Sequence, residues 1–163
     1  LAAVLREEPR LFADRVSRVW MMAGKWDGNP GRENNFARNA RSRTAAHYFC
    51  ESCPVPVTFL GWEVSYDILI GGHLKEGDIL HRVLVDHHSE NGRSGWDPML
   101  MELAVVGDAE KAGYRSVKGK ASVDPVTGEN TFVQSPDGLQ EYVEKKLPDA
   151  VYRERLNALI ASV

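Results

Sequence analysis

Residues 16–24 read VSRVWMMAG, a mostly apolar run closed by glycine, and the fold turns on this stretch. Such a run predicts a strand buried on both faces, as in a parallel sheet. A Gly-, Asn- and Pro-rich loop follows, KWDGNPGREN at 25–34. From Phe36 to Glu51 the apolar residues Phe36, Ala37, Ala40, Ala45, Tyr48 and Phe49 recur at roughly helical spacing. Pro54 then fences that helix from a second apolar run, VPVTFLG at 55–61. Strand, loop, helix and strand in this order predict a parallel crossover unit, so the expected fold class is α/β.

Working outward, Leu1, Val4 and Leu5 share one face of an N-terminal helix that Pro9 ends. Downstream, 63–74 and 78–89 read as helices separated by Gly71, Gly72 and Gly77, and NGRSG at 91–95 reads as a loop. Asp97 before Pro98 marks the start of a helix over 98–106. Residues 115–134 alternate around the turn DPVTGEN and predict a β-hairpin, after which two short helices, about 138–146 and 149–161, close the chain. The expected architecture is a partial layered parallel sheet with flanking helices, a β-hairpin and C-terminal helices.

The composition narrows the function classes. With 163 residues, 43% hydrophobic and 26% charged, the chain is long enough to bury one core and predicts a single soluble domain. Its 20 basic residues fall below its 23 acidic ones, so no global positive field favours nucleic acid or an anionic membrane. No window nears the ~18 consecutive apolar residues of a membrane span, and the start lacks a secretory signal, so a cytoplasmic location is expected. Leu1 stands where an initiator Met would, which predicts that the sequence begins inside a longer chain. Cys50 and Cys53 form one CESC pair that closes a helix before a strand; alone it cannot complete a four-coordinate zinc site, and two reduced, inert thiols are expected.

Chemistry in open α/β sheets belongs in the loops after the carboxyl ends of parallel strands. Here that loop carries Lys25, Asp27, Asn29, Arg32, Glu33, Asn34 and Asn35, a carboxylate and carboxamides suited to neutral hydroxyl groups. The plain alternative is a turn with Asn35 as helix N-cap. A second candidate is GRSGWDP at 92–98. There Asp97 reads as an N-cap whose outer oxygen can ligate a hard cation such as Ca²⁺. His81, Asp86, His87 and His88 read as a solvated helix end, because neighbours on a helix point about 100° apart and cannot all reach one ion. Arg38, Arg41 and Arg43 read as an exposed helical face, and Trp20, Trp26, Trp62 and Trp96 are spread too widely for a stacking platform.

The succession WMMAG, GN, ENNFARNA, VPVTFLG and GWDPML ahead of a hairpin resembles the C-terminal half of the inosine/uridine-preferring nucleoside hydrolases. In that family a Met-Gly-Gly strand end, a Gly-Asn, a Glu-Phe-Asn and a His-Asp-Pro follow one another in this order. The resemblance spans Leu1 to about Gln134. It implies that Met22 lines a ribose pocket, that Asn29, Glu33 and Asn35 hydrogen-bond sugar hydroxyls, and that Asp97 is one carboxylate of a Ca²⁺ site. It further implies an intact form that cleaves an N-glycosidic bond with metal-bound water through an oxocarbenium-like sugar.

This sequence departs from the family in three ways. It has no aspartate-rich loop of the form DTDxGxDD, which leaves Asp97 a lone ligand for an ion that takes about six to eight oxygens. The chain alone is therefore expected not to turn over. Trp96 stands where the family has His; indole stacks on a planar base but shuttles no proton, so His87, His88 or Arg93 would take any contact with the leaving group. Glu-Phe-Asn has become Glu33-Asn34-Asn35, and the usual Asp-Pro helix start is Asn39-Ala40. Half of such a domain predicts a bare sheet edge or apolar face, hence insolubility, a homo-oligomer or association with the missing N-terminal half. The expected ligand is a small nucleoside or ribosyl-like molecule. A non-catalytic nucleoside- or sugar-binding relative is the alternative, and a structural or assembly domain the third.

Overall fold

The computed structural model describes residues 1–29 and 31–161; Pro30, inside the predicted loop, lies outside them. In chain order the elements are α1 (Ala2–Glu7), α2 (Pro9–Arg15), β1 (Val19–Met22), α3 (Asn34–Ala37), α4 (Ala40–Ser52), β2 (Val57–Leu60), α5 (Trp62–Ser65), β3 (Leu69–Ile70), α6 (Ile79–Asp86), β4 (Arg93–Ser94), α7 (Trp96–Val106), α8 (Ala109–Ala112), β5 (Tyr114–Val123), β6 (Asn130–Gln134), β7 (Gln140–Lys145) and α9 (Asp149–Ala161). The chain divides into two compact units, one of Leu1–Glu63 with Arg115–Glu144, the other of Val64–Tyr114 with Lys145–Val163. The sequence reading did not draw that division.

The first unit is an α/β layer built on a five-stranded sheet of order β1-β2-β7-β5-β6. The predicted crossover is present: β1 and β2 run parallel, from Val19 opposite Val57 to Met22 opposite Leu60. All of β2 is buried. In β1 only Val19 is fully buried, and Trp20, Met21 and Met22 are half-buried, because β1 lies at the sheet edge with a single neighbour. The expected two-sided burial therefore belongs to β2 and not to β1. Leu5 of α1, Phe12 of α2 and Phe49 and Cys50 of α4 pack with Val19, Val57 and Phe59 in one core.

The predicted helix over 36–51 breaks at Arg38 and Asn39, and Asn39 Oδ1 caps the longer part by accepting from Ser42 N at 2.9 Å. Both cysteines are buried and reduced, and burial pushes the Cys50 thiol up to about 12, which keeps it protonated and unreactive. The hairpin β5–β6 forms as predicted, its turn held by Asp124 Oδ1 accepting from Val126 N (2.7 Å) and Thr127 N (2.8 Å).

The predicted helix at 138–146 is instead β7, which pairs parallel with β2 from Val57 opposite Gln140 to Phe59 opposite Tyr142. Its Gln, Glu and Lys content suits a helix, but pairing with a strand eighty positions away overrides that local preference. Gln140 shows how a polar side chain fits mid-sheet. It is 3% exposed, accepts from Ala121 N at 2.7 Å and donates to Cys50 O at 2.7 Å.

In the second unit the helix expected over 63–74 shrinks to one turn. Ile68 and Ile70 are buried while Leu69 is exposed, the alternation of a strand, and β3 pairs antiparallel with β4. Arg93 and Ser94, expected in a loop, are thereby a strand. Asp78 caps α6, accepting from Leu80 N at 2.7 Å. The next helix begins at Trp96 rather than Pro98, because Gly95 N donates to Ile68 O (2.9 Å) and Gly95 O accepts from Met99 N (2.9 Å). Gly95 is thus the N-cap, and Asp97 is not; Pro98 falls in the first turn, where its missing N–H costs nothing. The C-terminal helix forms as expected. Among the described residues no helix is long and apolar enough to cross a membrane.

Replacing Gln140 by Leu keeps the bulk but strands the buried amide of Ala121 and leaves Cys50 O to Lys120 Nζ alone. The expected cost is on the order of 2 kcal/mol in urea denaturation; an unchanged midpoint would show that the bridge carries no stability.

Candidate functional site

Strand β1 ends against a sharp turn that only glycine accommodates. Gly24 has φ +82°, and a Cβ there would stand 2.3 Å from the indole of Trp26. The turn is tied to both flanking elements. Gly24 O accepts from Trp62 N at 2.9 Å, which joins it to the end of β2. Gly24 N donates to Glu33 Oε2 at 3.0 Å, which joins it to the start of α3.

Glu33 is 4% exposed, and both of its oxygens are engaged. Oε2 also accepts from Phe36 N (3.3 Å), and Oε1 accepts from Asn35 N (2.7 Å). Glu33 is therefore the N-cap, the role considered for Asn35. The Asn35 side chain turns back to the strand, where its Nδ2 donates to Met22 O at 2.8 Å and approaches Met22 Sδ at 3.2 Å. Met22, Glu33 and Asn35 thus meet at the carboxyl end of β1. Of the three, Glu33 faces inward to the backbone and Asn35 is exposed.

Asn29 stands apart from them at the exposed tip of the loop. Its N and Nδ2 donate to Asp27 Oδ1 (3.0 Å) and Oδ2 (3.1 Å), and Lys25 Nζ lies 3.4 Å from Asp27. Burial works to raise the Asp27 carboxyl, but the two Asn29 hydrogen bonds and Lys25 outweigh it and hold the group below its usual range. The Asn29 side-chain oxygen accepts no hydrogen bond from another described residue. Lys25, Arg32, Glu33, Asn34 and Trp62 border an open hollow of about 410 Å³ on this side of the loop.

Sequence reasoning passed over Glu63, which follows the end of β2. Its carboxylate lies over Gly61, where a Cβ would come within 2.3 Å of Oε1. Its Oε2 is buried without a hydrogen-bond partner among the described residues. Burial pushes its carboxyl above the usual carboxylate range; its own amide, the Trp26 amide and Lys25 oppose the rise and Asp27 adds to it. The available signal was its place, just past the carboxyl end of a buried parallel strand after a glycine.

The remaining sequence candidates belong to the second unit. Trp96 is half-buried, with its ring centroid 6.5 Å from that of Tyr66. Asp97 is exposed in the first turn of α7, and His87, His88 and Arg93 are exposed. Asp86 pairs with Arg82 at 3.1 Å, one helical turn away. Among the described residues no group of three His, Cys, Asp or Glu side chains converges in a way that could hold a metal ion. A lone exposed Asp97 does not fit a Ca²⁺ ion, which takes about six to eight oxygens. No family model matches the chain, and no curated protein matches it.

Two substitutions test the wiring. Glu33→Ala removes the helix cap and leaves the Gly24 amide unsatisfied, for an expected loss of about 2–4 kcal/mol in chemical denaturation; a loss under about 0.5 kcal/mol would contradict the three bonds. For Glu63 the folded pKa is raised, so its stabilising contribution is complete below the unfolded value of 4.5 and fades as pH rises through the folded one. Glu63→Gln should accordingly gain stability over the parent between pH 4 and pH 7. A stability difference that does not move with pH would show that Glu63 ionises as freely in the fold as out of it.

Proposed function

We propose that residues 1–163 form the C-terminal, sugar-binding portion of a nucleoside-hydrolase-like domain, holding a ribosyl or closely related ring at the carboxyl end of β1. The observation that supports this reading most is the meeting of Met22, Glu33 and Asn35 at a parallel strand end, in the order the family resemblance implies. Among the described residues the side-chain oxygens of Asn29, at the loop tip, and of Asn35 accept no hydrogen bond, since only the Nδ2 of each is engaged. These acceptors bind and orient hydroxyl groups, and neither abstracts a proton.

Cleaving the N-glycosidic bond belongs, in this reading, to an intact form in which carboxylates from outside these residues act on water. Ca²⁺ does not fit the residues present, and no step is assigned to it. A second reading is a non-catalytic nucleoside- or sugar-binding relative. In both, the ligand is a small nucleoside or ribosyl compound, and association with a second copy or with an aspartate-bearing segment would supply what the chain lacks.

The test is titration of the chain with inosine, uridine and D-ribose, with and without Ca²⁺, followed by NMR and by chromatography for free base. Saturable shifts at the Asn29 and Asn35 side-chain amides without free base are expected, and Asn29→Ala should weaken binding about five-fold, the worth of one hydrogen bond. Release of base by the chain alone would overturn the assignment of chemistry to outside groups. Silence of both amides with every ligand would overturn the sugar-site reading.

A further inference from the structure

On its other side, the loop after β1 and the hairpin enclose a second cleft of about 450 Å³, within the range of small-molecule pockets, roughly 300–1,000 Å³. Its frame is fixed by one side chain. Asn130 of β6 accepts from Lys25 N at 3.0 Å and donates through Nδ2 to Lys25 O at 2.7 Å, which clamps the loop to the hairpin.

Three rings build the floor. Trp26 and Tyr142, each 7% exposed, stack at 5.9 Å with 12° between their planes. Phe132 meets both edge-on, at 5.7 Å and 4.9 Å. The indole N–H is already committed, donating to Ala23 O at 3.1 Å.

The Tyr142 hydroxyl is not committed. Tyr142 is more than nine-tenths buried and lines the cleft, yet its hydroxyl makes no hydrogen bond to a described residue. The side chains of Glu129, Thr131 and Gln134 on the rim likewise have no partner among the described residues. Lys25, Asn29 and Asn130 are bonded, whereas the Tyr142 hydroxyl and the Gln134 amide are unspent among the described residues, the arrangement of a pre-formed site whose few polar groups fix a ligand.

Charge and shape then select the ligand. Lys25 is offset by Asp27 at 3.4 Å and Glu129 adds a negative charge, so an anion gains nothing here. A purely apolar ligand would strip water from the Tyr, Thr and Gln side chains without replacing it. The three rings pack on one another and leave no open pair of parallel faces to sandwich a planar base. We propose that this cleft binds a neutral monosaccharide ring, its hydroxyls hydrogen-bonded by Tyr142 and Gln134 and its C–H face against Phe132. The site is separate from the one at the end of β1: of the residues assigned there only Asn29 lines it.

The experiment is NMR titration of the whole chain with methyl β-D-glucopyranoside, with sodium phosphate and adenine as competing chemistries. The sugar should shift the Trp26 indole N–H and the Gln134 side-chain amide in a saturable way. Tyr142→Phe and Gln134→Ala should each weaken that binding about five-fold, one hydrogen bond apiece, with unchanged circular dichroism, while Asn35→Ala should leave it as it is. No shift with the sugar, a shift with phosphate or adenine in its place, or undiminished binding in both variants would each overturn the proposal. Because Asn35 borders the β1 site and not this cleft, and Gln134 this cleft and not the β1 site, their separate responses let either site fail without the other.

Discussion

The first unit depends on how the Glu33 carboxylate is buried. An ionised carboxylate taken out of water is costly unless donors surround it. Here the donors are three backbone amides, two from the first turn of α3 and one from Gly24 at the end of β1. One side chain therefore fixes where the helix starts and where the strand stops. Through Gly24 O and Trp62 N the constraint passes to β2. The polar loop projects from a rigid base because its two ends share a single charged group.

The same bonds limit what Glu33 can offer a ligand. A carboxylate has about four acceptor positions, and three are taken. Any hydroxyl placed at the end of β1 must compete for the fourth or turn to Asn29 and Asn35, whose side-chain oxygens accept no hydrogen bond from another described residue. The loop also presents different chemistry on its two sides. Towards Trp62 it shows charged groups, Lys25 and Arg32, in an open hollow. Towards the hairpin it closes on aromatic rings, with Glu129, Thr131 and Gln134 at the rim.

Those parts of the fold that rest on local signals were legible in the sequence. The parallel pair β1–β2 followed from two apolar runs about a helix and a proline and the hairpin from a DPVTGEN turn, and α6 lies within the helix expected over 78–89. What escaped was decided at a distance. β7 carries helix-forming residues, and its place between β2 and β5 is set by Gln140 bridging Ala121 and Cys50. The start of α7 moved because Gly95 is held by Ile68, so a strong local Asp-Pro signal lost to one tertiary hydrogen bond. At the site, residue types were readable but directions were not: nothing in the string ENN distinguishes a glutamate aimed at a sugar from one capping a helix.

The two glutamates at the strand ends show why direction decides chemistry. Glu33 and Glu63 follow neighbouring parallel strands, and both are withdrawn from water. Glu33 is supplied with three strong donors, so its charge is matched where it sits. Glu63 has an oxygen with no partner among the described residues, and burial raises its affinity for a proton. A matched carboxylate is scaffold, since nothing changes when a ligand arrives. An undersupplied one keeps room at Oε2 for a further donor. The end of the sheet therefore sets one residue type in two hydrogen-bonding environments, one matched in donors and holding the loop, the other not.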